Sequence, residues 1–393
     1  MKKEVLIVIE SLACGGAEKS LISLLPLLDY DKYNLDLMIH NRVNGLFESM
    51  VDERVHILPP PEFCEFCKLS PLKEILSFRL QFLIPRVKWA MAIRKKENRE
   101  RHASEVYWEN CKDTFPVLKK EYDVAIAWGQ GNSTHYVAEK VHANKKLAWI
   151  NADYILGNHD KEFDYEFYKK FNKIVVVSNK LLPITKAVFP DLTDKMCVIY
   201  DIVNADIIKT MASAGSAFEN DGGFKIVTVG RLEKPKGYDT AVEACRILKE
   251  KGYQFTWYVI GDGSERKQLE EKIEEYNLIE NFKLLGAKSN PYTYMSKADA
   301  YVQTSVFEGY CLTLAEARLL NKPIVTTNFD VVYDQITDGV NGLIADMTPE
   351  SVADDIARLI EDSDLREKIR NNLSKEKKGN EEEAVKFMKL LDE

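Results

Sequence analysis

Short apolar runs of strand length alternate with amphipathic helical stretches along the whole chain, and this pattern restricts the fold more than any other feature. The first helical stretch carries leucines at the three- and four-residue spacing of a helix face, from Leu21 to Leu28. Apolar runs separated by helices indicate a parallel sheet covered by helices. The predicted strands are Val5–Ile9, Leu35–Ile39, Val124–Ala127, Leu147–Ile150, Ile174–Val177, Lys225–Val229, Phe255–Ile260, Phe282–Leu284, Ala300–Thr304 and Pro323–Thr327.

The alternation runs through the chain twice, so we predict two doubly wound α/β domains. A chain of 393 residues exceeds the ~150 residues of one typical domain, and a loop-rich stretch at 212–223 interrupts the series. We place the first domain at 1–205 and the second at 206–372. The charged segment 373–393 is predicted to form a terminal helix, whose Val385 and Met388 suit packing back onto the first domain.

Composition excludes several classes of protein. Hydrophobic residues make up 45% of the chain and charged residues 30%, which is typical of a water-soluble globular protein. No apolar run approaches the ~18 residues of a membrane span. The seven cysteines are odd in number and scattered, which favours a reducing cytoplasm over a disulfide framework. The net charge of −8 argues against a nucleic-acid partner.

Three small motifs have structural interpretations that compete with functional ones. Gly15 and Gly16 precede a helix, whose first amides could hold phosphate, although a tight turn is the alternative. The segment Gly261–Ser264 is interpreted as a turn in which Ser264 caps the next helix. Cys64 and Cys67 lack further zinc ligands nearby and follow prolines instead of opening a helix after a strand, so we interpret them as thiols without a function.

Two other loops carry charges suited to phosphate chemistry. Arg231 and Lys236 flank a proline-containing loop after a predicted strand, where two cations can converge on one anion; a solvated basic turn is the alternative. Glu308 and Glu316 lie roughly 7–10 Å apart if a helix begins near Leu312, which overlaps the ~6.5–9.5 Å of inverting glycosidases. The two cations favour a sugar diphosphate over a neutral sugar, because a neutral sugar offers them no anion.

Together these motifs resemble the signatures of glycosyltransferase family 4. The matching residues are Gly15-Gly16-Ala17-Glu18, Arg231 with Lys236-Gly237, and Glu308 with Glu316. The resemblance implies the GT-B architecture, two Rossmann-like doubly wound domains facing across a cleft. It implies retaining transfer of a sugar, from a nucleotide-diphosphate sugar expected to be UDP-linked, to a glycan or lipid-linked acceptor in cell-surface polysaccharide biosynthesis.

The resemblance also implies roles for the residues. Arg231 and Lys236 would hold the donor diphosphate and stabilise the leaving phosphate, Glu308 would face the donor sugar, and Glu316 would accept hydrogen bonds from the ribose. Further donor contacts would come from Gly15, Gly16, Gly309, Tyr310, Cys311 and Leu312. Because protein cations would neutralise the leaving group, no cofactor and no divalent metal are expected.

Two positions depart from the family pattern. Relatives often carry histidine where Asn151 stands on the acceptor and sugar side, and asparagine where Asp201 stands. An asparagine side chain can hydrogen-bond a sugar hydroxyl but cannot accept a proton. The alternative function is therefore a catalytically weak GT-B protein that binds sugar or nucleotide as the partner subunit of another glycosyltransferase. His135, His142 and His159 could supply a base, but loop histidines are expected at the surface.

Residues 62–101 combine positive charge with apolar side chains. Ten lysines and arginines face five glutamates there, interleaved with apolar residues that include Trp89 and Met91. An apolar face with a basic rim is typical of helices that lie on anionic lipid, and Pro85 is expected to divide the segment into two helices. We predict peripheral docking on the inner face of the plasma membrane, with a core-packed helix pair as the alternative.

Overall fold

The chain folds into two compact α/β units. The computed structural model describes residues 1–13, 15–42, 47–99, 101–152, 154, 159–215, 217–218 and 223–393. One unit comprises residues 1–13, 17–201 and 382–393, and the other comprises residues 14–16 and 202–381. The division between Asp201 and Ile202 lies four residues before the predicted boundary.

The first unit contains a parallel sheet of seven strands in the order β3-β2-β1-β4-β5-β6-β7. Val5 of the central strand lies opposite Leu35 on one side and Val124 on the other. Residues 5–8 are fully buried, as expected for a strand covered by helices on both faces. The strands are β1 Lys3–Ser11, β2 Tyr33–Asn41, β3 His56–Leu58, β4 Glu121–Ala127, β5 His142–Ile150, β6 Lys173–Val176 and β7 Met196–Val198.

Among the described residues of this unit, eight α-helices connect the strands. They are α1 Gly16–Leu24, α2 Glu62–Phe66, α3 Pro71–Leu76, α4 Leu80–Ala92, α5 Ala103–Cys111, α6 Asn132–Lys140, α7 Lys161–Tyr168 and α8 Leu181–Val188. Residues 71–92 form two helices as predicted, α3 and α4, but Pro85 does not separate them, because it lies inside α4. The break comes earlier, at Phe78, whose positive φ of 53° cannot continue a right-handed helix.

The second unit contains a parallel sheet of six strands in the order β10-β9-β8-β11-β12-β13. Its strands are β8 Phe224–Val229, β9 Phe255–Ile260, β10 Phe282–Leu284, β11 Ala300–Gln303, β12 Ile324–Thr327 and β13 Leu343–Ala345. Its helices are α9 Ala205–Ser213, α10 Tyr238–Glu250, α11 Arg266–Glu275, α12 Tyr292–Lys297, α13 Leu312–Leu319, α14 Pro349–Glu361 and α15 Ser363–Lys375. Ser264 does not cap α11: the cap position is Glu265, whose N–H donates to the Leu232 carbonyl at 2.9 Å.

The end of the chain differs from the single helix predicted over 373–393. Helix α15 ends at Lys375, and a separate helix, α16 (Glu382–Asp392), belongs to the first unit. Gly379, with φ +74°, and the Lys378 ammonium, which donates to the Leu373 carbonyl at 2.6 Å, turn the chain between the two helices. Phe387 of α16 packs against Trp128 and Trp149.

In the part of the chain that the structure describes, no helix is both long enough and apolar enough to cross a membrane.

Candidate active site

The loops after β8 and β11 carry the charged residues of the second unit's candidate site. These strands are neighbours in the parallel sheet, so their carboxyl ends lie at the same edge. The β8 loop holds Arg231 and Lys236, and the β11 loop holds Glu308. Lys236 and Glu308, 72 residues apart in sequence, therefore meet.

Lys236 and Glu308 form a close ion pair. The Lys236 Nζ lies 2.6 Å from Glu308 Oε1, and the two side chains are only 21% and 10% exposed. Burial alone would lower the pKa of Lys236, but the charge and hydrogen bond of Glu308 outweigh burial and raise it. Lys236 is therefore a fixed positive charge at neutral pH, held in place by a carboxylate.

A chain of hydrogen bonds holds Glu308 in turn. Its Oε1 accepts from the Ser305 hydroxyl at 2.6 Å and from Gln303 Nε2 at 3.3 Å. Tyr301 donates to Gln303 Oε1 at 2.5 Å from within the sheet. Ser305 and Gln303, which lie three and five residues before Glu308, were not predicted from the sequence.

The backbones of the two loops are also joined. Val306 N–H donates to the Pro235 carbonyl at 2.8 Å, and the Thr304 hydroxyl donates to the Lys236 carbonyl at 3.1 Å. Gly237 permits this approach: its φ is +63°, and a Cβ there would lie 2.0 Å from the Thr304 oxygen. The position of Lys236 relative to Glu308 is thus set by backbone contacts as well as by the ion pair.

Arg231 does not join this pair directly. Its side chain is 60% exposed, and its Nη1 lies 3.1 Å from Glu233 Oε1. Its charge is nevertheless near enough to oppose the protonation of Lys236. The predicted convergence of two cations is thus only partly formed, with Lys236 buried and Arg231 at the solvent-facing side of the loop.

The helix α13 begins where the sequence placed it, at Leu312. Gly309, Tyr310 and Cys311 lead into it, and Cys311 adopts a left-handed backbone with φ +65°. The Gln335 side chain donates to the carbonyls of Tyr310 and, at 3.3 Å, of Cys311. This leaves a fixed turn followed by a helix N-terminus, whose first amides have no partners within the helix and attract anions.

Glu316 lies on α13 with almost no exposed surface. Tyr292 of α12 donates its hydroxyl to Glu316 Oε1 at 2.7 Å, which supplies the partner that a buried carboxylate requires. Tyr292 was not predicted, because it lies 24 residues before Glu316 and no sequence motif links the two positions.

Gly16 is the first residue of α1 and Gly15 directly precedes it; both are grouped with the second unit. Asn151, in the first unit, follows the last residue of β5. The Asn151 N–H donates to Gln130 Oε1 at 3.2 Å. Its own side-chain oxygen is buried and accepts no hydrogen bond from any residue that the structure describes. The role predicted for Asn151, a hydrogen bond to a sugar hydroxyl, stays a prediction.

The predicted surface location of the histidines is wrong for two of the three. His142 is exposed, whereas His135 and His159 are buried in a cluster with carboxylates. The C-x-x-C pair does not open a helix. Helix α2 follows strand β3, but Cys64 lies in the middle of this five-residue helix and Cys67 directly after its end. Burial also raises the pKa of Cys64 to about 12 and that of Cys67 to about 11. A redox thiol requires the opposite change.

Asp201, at the end of the first unit, is a buried carboxylic acid, so its protonation should affect how the stability of the protein depends on pH. Burial, with the nearby Glu18 carboxylate adding to it, raises the pKa of Asp201 to about 7 from an ordinary 3.8. The folded protein therefore keeps a proton that the unfolded chain loses, and this stabilisation is full below about pH 4 and lost as the pH rises to 7. We expect Asp201→Asn to gain stability relative to wild type between pH 5 and 7, by up to about 1.4 kcal/mol per pH unit.

Urea unfolding at pH 5, 6, 7 and 8 measures this difference. The exposed Asp194→Asn substitution is the control, and its stability should follow wild type at every pH. A constant difference between Asp201→Asn and wild type across this range would contradict a raised pKa.

Comparisons with known proteins find similarity to glycosyltransferases. The family model for glycosyl transferases group 1 matches residues 213–376, which include both charged loops and α13. A Campylobacter jejuni protein named N-acetylgalactosamine-N,N'-diacetylbacillosaminyl-diphospho-undecaprenol 4-alpha-N-acetylgalactosaminyltransferase is 25% identical over 380 residues, 93% of this chain and 92% of that protein. A Methanocaldococcus jannaschii protein described as an uncharacterized glycosyltransferase is 25% identical over 262 residues, 58% of this chain but only 64% of that protein.

Solved structures share the fold along the full chain. Anabaena Alr3699/HepE in complex with UDP-glucose superposes with a TM-score of 0.70 at 16% identity, covering 99% of each chain. TarM superposes with a TM-score of 0.67 at 15% identity, covering 100% of this chain and 99% of that one. A mutant of S. aureus TarM has also been solved in a complex that includes UDP. These matches confirm the predicted GT-B fold class and the resemblance to glycosyltransferases.

Proposed function

Because residues 213–376 match glycosyl transferases group 1 and the chain has the GT-B fold, we propose that this protein is a retaining glycosyltransferase of the hexosyltransferase type. It moves a sugar from a UDP-sugar to a glycan or lipid-linked acceptor in cell-surface polysaccharide biosynthesis. The observation that carries this proposal is the buried Lys236–Glu308 pair at the N-terminal end of α13.

This pair suits a reaction in which a nucleoside diphosphate leaves. As the bond between the anomeric carbon and the phosphate oxygen breaks, the electron pair and negative charge go to the phosphate. Lys236, Arg231 and the first amides of α13 supply positive potential at that place before the reaction starts, which lowers the barrier. The acceptor oxygen attacks from the same face and passes its proton to the leaving phosphate, while Glu308 orients the donor sugar.

The names of similar proteins support the donor and acceptor classes. HepE has been solved with UDP and with UDP-glucose, and TarM with UDP. The Campylobacter jejuni relative is named for a diphospho-undecaprenol acceptor. The proposal of a UDP-sugar donor and a lipid-linked or glycan acceptor rests on these likenesses together with the cationic loop.

The transfer step is proposed to need no cofactor and no divalent metal. Lys236 and Arg231 place two cations on the donor loop, each beside a glutamate, and the first amides of α13 add positive potential. Initial rates measured within minutes of adding EDTA should equal those without it. An immediate loss of rate that magnesium restores would contradict this part of the proposal.

Donor binding tests the function directly. We expect UDP to raise the midpoint of thermal unfolding of the wild-type protein and Glu316→Gln to weaken UDP binding by about 10- to 100-fold, since hydrogen bonds to a charged group contribute about 1.5–3 kcal/mol. Tyr292→Phe is the matched control, because it removes only the hydroxyl that supports Glu316 and should weaken binding less. No thermal shift with UDP or any nucleotide sugar would contradict the proposed function.

A second candidate function is a weakly active partner subunit of another glycosyltransferase. Asn151 and Asp201 favour it, because both depart from the pattern of the glycosyltransferases that the sequence resembles. Both candidates bind the donor, so turnover separates them: the enzyme releases UDP from its best-binding UDP-sugar when an acceptor is supplied, whereas the partner subunit binds without turnover.

The acceptor side is proposed to include an anionic membrane surface, on the cytoplasmic face of the plasma membrane. Helices α3 and α4 expose an unusual number of large apolar side chains, with Phe78 between them 85% exposed. The exposed apolar residues are Leu72, Ile75, Leu76, Phe78, Leu80, Ile84, Val87 and Met91. Exposed basic residues surround them: Lys73, Arg79, Lys88 and Arg94. Trp89 does not belong to the exposed apolar residues, since its ring packs edge-on against Tyr107.

We expect wild-type protein to float with vesicles that contain phosphatidylglycerol at low salt, because apolar burial and basic charge act together at such a surface. The double substitution Leu76→Ser and Phe78→Ser should abolish most of the recovery. Ile279→Ser is the control, since Ile279 is 59% exposed in the second unit, outside this apolar surface. Absence of wild-type protein from the floated fraction would rule out the membrane proposal and leave the donor chemistry untouched.

A further inference from the structure

Buried ionisable side chains form a second cluster, built entirely from the first unit. Glu105 on α5, Asp164 on α7 and His159 just before α7 each place a potential ligand atom within 4.8 Å of the other two. Glu105 and Asp164 have essentially no exposed side-chain surface, and His159 is 6% exposed. The donor chemistry proposed above uses none of these residues.

The spacing of the three groups is too wide for hydrogen bonds. The Nδ1 atom of His159 lies 3.4 Å from Asp164 Oδ2 and 3.7 Å from Glu105 Oε1, beyond the ~2.7–3.2 Å of an N–H···O bond. Among the residues that the structure describes, neither His159 Nδ1 nor Glu105 Oε2 has a hydrogen-bond partner. Ligands bound to one zinc ion at about 2.0–2.2 Å lie roughly 3.3–3.5 Å from one another, close to the spacing seen here.

The cation nearest to Glu105 is mainly paired with another residue. Arg101 forms a two-bond ion pair with Glu109 at 2.9 and 2.8 Å, and only its Nε approaches Glu105, at 3.6 Å. His102 stacks on His159, and its Nδ1 lies 2.7 Å from the Ser104 hydroxyl oxygen. Two buried carboxylates without a full counter-charge are costly unless a cation joins them.

We propose that Glu105, His159 and Asp164 bind a divalent transition-metal ion, with Zn²⁺ as the best match. One imidazole nitrogen and two carboxylate oxygens are ligands that zinc accepts, and a water molecule would complete four-coordination. The Tyr154 hydroxyl donates to Asp164 Oδ2. His135 Nε2 lies 2.7 Å from the other oxygen of Asp164 and orients this carboxylate, as outer hydrogen bonds do in metal sites. The ion would tie α5 to the start of α7.

Zinc binding by the untagged, full-length protein tests this proposal. Protein stripped with EDTA and desalted is titrated with ZnCl₂ in competition with a chromophoric chelator, and the metal content after dialysis is measured by mass spectrometry. We expect one equivalent of zinc per chain and a zinc-dependent rise of the thermal midpoint. His159→Gln should weaken zinc binding at least 10-fold. His102→Gln is the matched control, because His102 stacks on the same ring but bonds Ser104 at 2.7 Å, and it should bind zinc like wild type.

Glu105→Gln keeps the side-chain volume and provides a second ligand variant should His159→Gln fail to fold; it too should weaken binding at least 10-fold. Absence of saturable zinc binding by wild-type protein would overturn the proposal. Binding that is unchanged in the ligand variants would also overturn it and would assign the zinc to other groups, such as the thiols of Cys64 and Cys67.

Discussion

Replacing Lys236 with alanine is expected to lower kcat/KM for sugar transfer by about 10²- to 10³-fold, the size of effect seen when one preorganised charge-stabilising group is removed. Lys236 is the buried cation of the donor loop, and its charge is maintained by Glu308 at 2.6 Å. The loss should fall on kcat as well as on KM, because the charge that Lys236 stabilises grows in the transition state. Steady-state kinetics with the best donor measures both.

Lys234→Ala is the matched control for this experiment. Lys234 lies on the same loop, two residues away, but is exposed, so its removal should change kcat/KM by less than about threefold. Glu308→Gln separates the two partners further, since it should reduce turnover while leaving most of the UDP affinity. Equal kinetics for Lys236→Ala and Lys234→Ala would exclude Lys236 from the donor site.

Replacing Gly237 with alanine is expected to destabilise the second unit by about 3 kcal/mol or more. A left-handed backbone costs a residue with a Cβ about 1–2 kcal/mol, and here the added carbon would lie 2.0 Å from the Thr304 carbonyl oxygen. Because that oxygen belongs to backbone, relief requires the β8 and β11 loops to separate, which also moves Lys236 from Glu308. Urea unfolding measures the stability, and transfer kinetics measure the displacement.

Gly252→Ala distinguishes the two sources of this cost. Gly252 has a similar left-handed backbone, with φ +85°, but a Cβ there meets no atom of the described residues within 4 Å. It should therefore lose only the 1–2 kcal/mol of backbone strain and keep full activity. If both variants were equally destabilised, the close approach of the two loops would contribute nothing.

All ten strands predicted from apolar runs are present, whereas three short strands were not predicted. Strands β3, β7 and β13 have three residues each and lie at the edges of their sheets. An edge strand buries less of its surface than a central one, so its sequence need not form a long apolar run. The predicted break at Pro85 is absent for a different reason. A helix can tolerate proline when packing compensates for one lost hydrogen bond.

The residues of the candidate site were likewise predicted only in part. The loop positions of Arg231, Lys236 and Glu308 followed from the rule that parallel strands end at one edge of the sheet, and Glu316 followed from its place in the next helix. Their partners did not follow: Ser305 and Gln303 hold Glu308, and Tyr292 holds Glu316. Such hydrogen bonds depend on side-chain directions between elements, which no local pattern encodes.

The sequence by itself determined the two parallel α/β units, the loops that carry charge and the family resemblance, because strand periodicity, loop chemistry and motif spacing are local properties of the chain. Only the tertiary structure decided which charges meet. It paired Lys236 with Glu308 and left Arg231 exposed, and it buried His135 and His159 beside two carboxylates although they were expected at the surface. The physical reason is that burial and pairing depend on contacts between residues far apart in sequence, and these contacts set the charge each group carries.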